Sequence, residues 1–168
     1  MLGFKKVAKL AALGINLALL SSAVNAHDHK TEHASEQTLH QLEFSNAWAR
    51  ALPPVVPNGA AYFTFTNHSK SAVVVTGVDS DIAKHSMLHE SYFDDGKVAM
   101  RHIDEIKVET HQSLIFKPGG YHVMLMGLKK PLVKGTEFSL TLTLKNGETL
   151  TTKVMVKDAP AMKGHAHH

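Results

Sequence analysis

Residues 138–156 read FSLTLTLKNGETLTTKVMV, and this stretch decides the fold. Phe138, Leu140, Leu142 and Leu144 alternate with Ser139, Thr141 and Thr143. Successive side chains of a strand leave opposite faces, so a period of two buries one face and wets the other. Asn146-Gly147 interrupts the run, and Leu150 to Val156 resumes it. Asn-Gly is the favoured pair for a two-residue type I′ loop, so the stretch predicts a β-hairpin with that turn.

The same pattern extends upstream. Phe44 to Arg50 carries the only Trp, Trp48, and is followed by a turn-rich run from Pro53 to Gly59. Ala61, Phe63 and Phe65 alternate with Tyr62, Thr64 and Thr66, and Asn67 to Ser71 is a polar turn. Ala72 to Val78 and Lys84 to Ser91 are strand candidates, the latter turning at Asp94-Asp95-Gly96. Val98 to Ile103, Glu105 to Thr110 and Ser113 to Lys117 are short strands or extended links. Pro118-Gly119-Gly120 turns the chain into a strand from Tyr121 to Leu128. No long segment has a helical period. The expected domain, 42–157, is therefore all-β: an antiparallel β-sandwich or Greek-key barrel.

The flanks have a different composition. Residues 1–26 have the pattern of a secretory signal: Lys5, Lys6 and Lys9, then an apolar core from Leu10 to Leu20, then Val24-Asn25-Ala26 for cleavage. That core is short of the roughly 20 residues a spanning helix needs, so no stable membrane insertion is expected. Export to the periplasm is. Cleavage would remove three of the 18 Lys and Arg, leaving 15 against 15 Asp and Glu. The basic character thus belongs to the targeting segment and gives no case for a nucleic-acid partner. Residues 27–41 and 158–168 are polar and His-containing, and such segments bury too little to offset their ordering entropy, so disordered tails are expected. His27-Asp28-His29, freed at its amine, would offer nitrogen donors suited to Cu(II), and so would the C-terminal His165, His167 and His168.

The chain has 13 His, 7 Met and no Cys. There can be no disulfide framework, thiolate-ligated zinc, iron–sulfur cluster, redox dithiol or cysteine-linked lipid anchor. Between residues 87 and 126, His89 is followed after ten residues by Met100, after twenty-one more by His122, and then by Met124. On a strand, His122 and Met124 share a face, with Val123 and Leu125 on the other; Met87 and His89 share a face in the same way. Two neutral thioethers beside two imidazoles favour Cu(I) over Mg, Ca or Zn. Met87 and Met126 share these faces as neighbours, whereas His68, His85, His102 and His111 show no pairing. Imidazole binds metal only when neutral, so affinity should weaken as pH falls through about 6.5.

His89, Met100 and His122-x-Met124 at this spacing resemble the signature of periplasmic copper chaperones of the PCu(A)C type. The surrounding blocks agree: Trp48-Ala49-Arg50-Ala51, Gly59-Ala60-Ala61-Tyr62, Thr66-Asn67, and Lys117 through Leu128. The resemblance covers roughly 44–156. It implies a cupredoxin-like β-sandwich holding Cu(I) on His89, Met100, His122 and Met124. It also implies that copper passes to the copper site of a respiratory cytochrome oxidase; the expected partner is an acceptor subunit of that terminal oxidase or another copper chaperone, and the protein is expected to be a monomer. A periplasmic storage or resistance protein would use the same ligands. Blue-copper electron transfer and thiol–disulfide exchange both require Cys. A zinc hydrolase would call on a carboxylate such as Glu90, which strand parity turns away from His89. The chain is therefore not read as an enzyme.

Overall fold

A computed structural model describes residues 41–158. The expected signal segment, most of the His-rich leader and the C-terminal tail lie outside them. Ten strands follow in order: β1 (Leu42–Arg50), β2 (Asn58–Asn67), β3 (Val73–Ser80), β4 (Ala83–Asp94), β5 (Lys97–His102), β6 (Ile106–Val108), β7 (Ser113–Ile115), β8 (Tyr121–Leu128), β9 (Glu137–Leu144) and β10 (Thr149–Lys157). The described residues contain no helix, and so none that could cross a membrane.

The strands hydrogen-bond in the order β5-β4-β8-β2-β1-β10-β9-β3-β6, with β7 beside β2. Five strands separate β4 from β3 in that order, yet only Asp81-Ile82 joins them in the chain. A short link between distant strands is possible only if the sheet rolls over on itself. β2 makes one of the corners, since Asn58 to Ala61 pair with β8 while Thr64 to Thr66 pair with β7. The predicted all-β sandwich is what forms, and among the pairs of named strands one is not antiparallel. β1 runs parallel to β10, matching Trp48 with Met155 and Arg50 with Lys157.

The alternation read in β2 and β9 is the alternation of burial. Ala61, Phe63, Phe65, Phe138, Leu140, Leu142 and Leu144 are all buried, and the alternating Ser139, Thr141 and Thr143 are partly exposed. Phe63 stacks on Phe116 at 4.2 Å between centroids and meets Phe44 edge-on at 5.1 Å. The polar turn after β2 has its own internal order. Asn67 is fully buried and donates to the carbonyls of Ser71, Val108 and Glu109 at 2.8, 3.1 and 3.2 Å. Its carbonyl accepts from the Ser69 backbone amide and hydroxyl at 2.9 and 2.6 Å.

One turn differs from expectation. Gly147 has a φ of 87°, but Asn146 is not among the residues with positive φ, so Asn146-Gly147 is not type I′. The Gly147 amide reaches the Leu144 carbonyl at 2.9 Å, and the Leu144 amide reaches the Glu148 carbonyl at 2.8 Å. This is a three-residue loop, a turn over Lys145-Asn146 closed by a left-handed glycine. The two-residue type I′ loop occurs instead at Asp95-Gly96, where φ is 46° and 72° and Asp94 pairs with Lys97.

Candidate metal centre

β4 lies between β5 and β8 and gathers the donors. His89 stands opposite His122 on β8 and opposite His102 on β5. One step along the same face, Met87 faces Met124. One step the other way, Ser91 faces Met100. Residues directly opposite in a ladder share a face, so all these side chains project from one surface. Val123 and Leu125, between the β8 donors, are fully buried on the other side. Glu90 is turned away, as parity requires, and accepts from Arg101 Nε at 2.8 Å.

The hydrogen-bond pattern sets the spacing. Ser91 donates its amide to the Gly120 carbonyl at 3.0 Å, while Ile103 donates to the Leu88 carbonyl at 2.9 Å. His89 therefore exchanges backbone bonds with β8, and the His89–His102 pair is of the non-hydrogen-bonded type, with its side chains brought closer. Both neighbouring imidazoles lie 5.7 Å from the His89 ring centroid, nearly perpendicular to it. Met100 is diagonal to His89, at about 7–8 Å between Cα atoms, still within reach of a long side chain.

Each histidine is prepared differently. His122 is buried, at 5% exposure, and its Nδ1 lies 3.0 Å from the Gly120 carbonyl. A carbonyl only accepts, so Nδ1 carries the proton and Nε2 presents a lone pair. His89 Nδ1 is buried with no hydrogen-bond partner. Buried polar atoms are almost always satisfied, and one left open beside a second imidazole and two thioethers fits a metal ion. Burial lowers the His89 pKa from its ordinary 6.5, with smaller contributions from His122 and His102, so the ring is neutral and able to donate at neutral pH.

Met87, Met124 and Met126 are partly buried, whereas Met100 on edge strand β5 is 58% exposed. Met126 faces His85, one row beyond the Met87–Met124 pair. Among the described residues, no three His, Cys, Asp or Glu side chains converge on one point. A carboxylate-type site is therefore not formed there, and with the side chains as placed the thioethers are the donors that complete a set around His89 and His122. His68 is engaged by Glu43 at 3.0 Å, and His111 occupies the turn between β6 and β7. His102 is the residue missed in the sequence. The two-residue Asp95-Gly96 loop fixes Asp94 opposite Lys97, and counting back along the hairpin from that pair puts His102 opposite His89.

The fold and this His/Met face define a β-sandwich with a soft-donor surface. The LpqE-like family model matches residues 42–156, and the chain belongs to that family. A relative from Leifsonia xyli subsp. xyli, named "Putative lipoprotein Lxx21020", is 33% identical over 118 residues, covering 70% of each chain. Among solved structures, the solution structure of Cu(I)-DR1885 from Deinococcus radiodurans is 30% identical with a TM-score of 0.57. That match covers 76% of this chain and 85% of the other. The copper-bound PCuAC domain from PmoF2 superposes with a TM-score of 0.59 at 19% identity, over 71% and 94% of the two chains. The fold is that of PCuAC domains.

Proposed function

We propose that this protein is a non-enzymatic carrier of Cu(I) in the periplasm, with His89, Met100, His122 and Met124 as its ligands. The observation that carries the reading is the open Nδ1 of His89, buried beside a His122 ring whose tautomer the Gly120 carbonyl fixes. Two imidazoles in this state and two thioethers on the same face form a neutral set, which suits a soft monovalent ion. The kinship with structures solved with copper supports the same reading.

The arrangement also suits delivery. Three donors come from the paired strands β4 and β8, and the fourth from an exposed position on an edge strand. An acceptor could displace Met100 first without unpacking the sheet, then take the ion by stepwise ligand exchange. The recipient on this reading is the copper site of a terminal oxidase, or a further chaperone acting on it. X-ray absorption of the Cu(I)-loaded protein should show mixed nitrogen and sulfur scattering, with sulfur reduced in Met100→Leu and Met124→Leu. Titration against a competing chelator should show weaker binding in both variants; wild-type affinity in both would sink the assignment. Deleting the protein should impair oxidase assembly at low copper. Loss of tolerance at high copper alone would instead indicate storage.

A further inference from the structure

His102 has no part in the ligand set above, yet it stands closer to His89 in the ladder than Met100 does. We propose that β5 carries two interchangeable donors, Met100 for Cu(I) and His102 for Cu(II), so that the face holds copper in either oxidation state through one substitution of ligand. The inference rests on the copper reading of this face and extends it to a second ion.

The placement follows from the hairpin. Met100 and His102 are two apart on β5 and therefore share a face. His102 is directly opposite His89 in a non-hydrogen-bonded pair, and Met100 is on the diagonal. The three imidazoles of His102, His89 and His122 thus form a row across three adjacent strands, with ring centroids 5.7 Å apart at each step. Cu(II) prefers imidazole nitrogen and gains little from thioether, whereas Cu(I) accepts imidazole and is also well served by the softer thioether. Each donor on β5 suits one of the two ions.

Little holds His102 back. Its Nε2 lies 3.3 Å from Asp104, but the His102 side chain is 52% exposed and that of Asp104 96%. An exposed pair of this kind is weak and screened. A rotamer change would take the ring away from Asp104 and toward His89 without disturbing the core. Among the described residues the three imidazoles do not converge as placed, so this rotation is the movement that Cu(II) binding needs.

The test uses full-length protein in which every histidine before Gln41 and after Asp158 is replaced by Ala, so that Cu(II) reports on this face. With one equivalent of Cu(II), pulsed EPR should count three imidazoles in the parent and two in His102→Leu. Cu(II) affinity should fall by about tenfold or more, the scale of losing one supporting interaction at a metal. Cu(I) affinity should be unchanged. Met100→Leu should do the opposite. His102→Asn serves as a second variant, and circular dichroism confirms that each remains folded. An unchanged imidazole count and Cu(II) affinity would overturn the proposal, as would an equal loss of Cu(I) affinity. Failure of the underlying copper reading looks different: Cu(I) affinity would then be indifferent to His122→Leu and Met124→Leu, whatever His102 does.

Discussion

Asn67 and His89 are both polar side chains set into an apolar sandwich, and the structure treats them in opposite ways. Asn67 is fully buried, and both ends of its amide are used: three carbonyls receive from its nitrogen and two Ser69 groups donate to its oxygen. His89 is only partly buried, but its buried Nδ1 has no partner. The first arrangement ties the loop after β2 to the end of β6 and is complete within the protein. The second is complete only when something else arrives. A saturated buried polar group maintains architecture, whereas an open one beside further donors marks a site.

Substitution can break that contrast in a definite order. His89→Leu should lower Cu(I) affinity by more than about a hundredfold, beyond the range seen for outer-shell losses. The same change should leave apo stability within about 1 kcal/mol of wild type, because an unsatisfied atom is removed. Chemical denaturation of the apo protein measures the second quantity, and a large destabilisation would show that His89 is structural. Asn67→Ala should behave in the reverse sense. It strands several buried groups, so unfolding free energy should drop by about 3 kcal/mol with Cu(I) affinity unchanged.

Smaller effects sharpen the comparison within the site. Met124→Leu should weaken Cu(I) binding more than Met100→Leu, since Met124 is partly buried beside His122 and Met100 is exposed on the edge. Competitive titration separates the two, and equal losses would mean that exposure does not grade the ligands. The pH effect should be the smallest. The folded pKa of His89 lies below its ordinary 6.5, so the unfolded chain binds more protons in the interval beneath that value. Apo stability should therefore decline as pH falls from 6.5 through the folded pKa, and the His89 ring signals should titrate with a midpoint below 6.5 by NMR. A midpoint at or above 6.5 would contradict the burial that keeps this ring neutral. The weakening of copper binding expected near 6.5 should, for the His89 ligand, begin lower.

Much of this was legible in the residues. Alternation in Ala61 to Phe65 and Phe138 to Leu144 specified the buried faces, because burial on one side of a strand imposes a period of two. Parity also put His122 with Met124 and turned Glu90 away. Three features were not read. The Asn146-Gly147 loop took a three-residue form because Asn146 does not adopt positive φ, and the dipeptide alone does not dictate that choice. His102 went unpaired because register is a relation between strands. Once Asp95-Gly96 is taken as the two-residue turn, His102 opposite His89 follows by counting. The parallel contact of β1 with β10 has no such local signal, since its partners are more than a hundred residues apart in sequence.

That parallel pair also governs when the protein can fold. β1 is the first strand of the described chain and β10 the last, and each is the other's neighbour in the sheet. Pairing between distant segments is slow, because loop closure must precede the contacts that reward it. The sheet cannot close on a nascent or truncated chain lacking Trp48 or Met155. Every strand that bears a donor lies between those two in sequence. Completion of the sheet behind the donor face is therefore tied to synthesis through β10, and fragments that stop short of it would leave the rolled sheet unclosed behind their methionines and histidines.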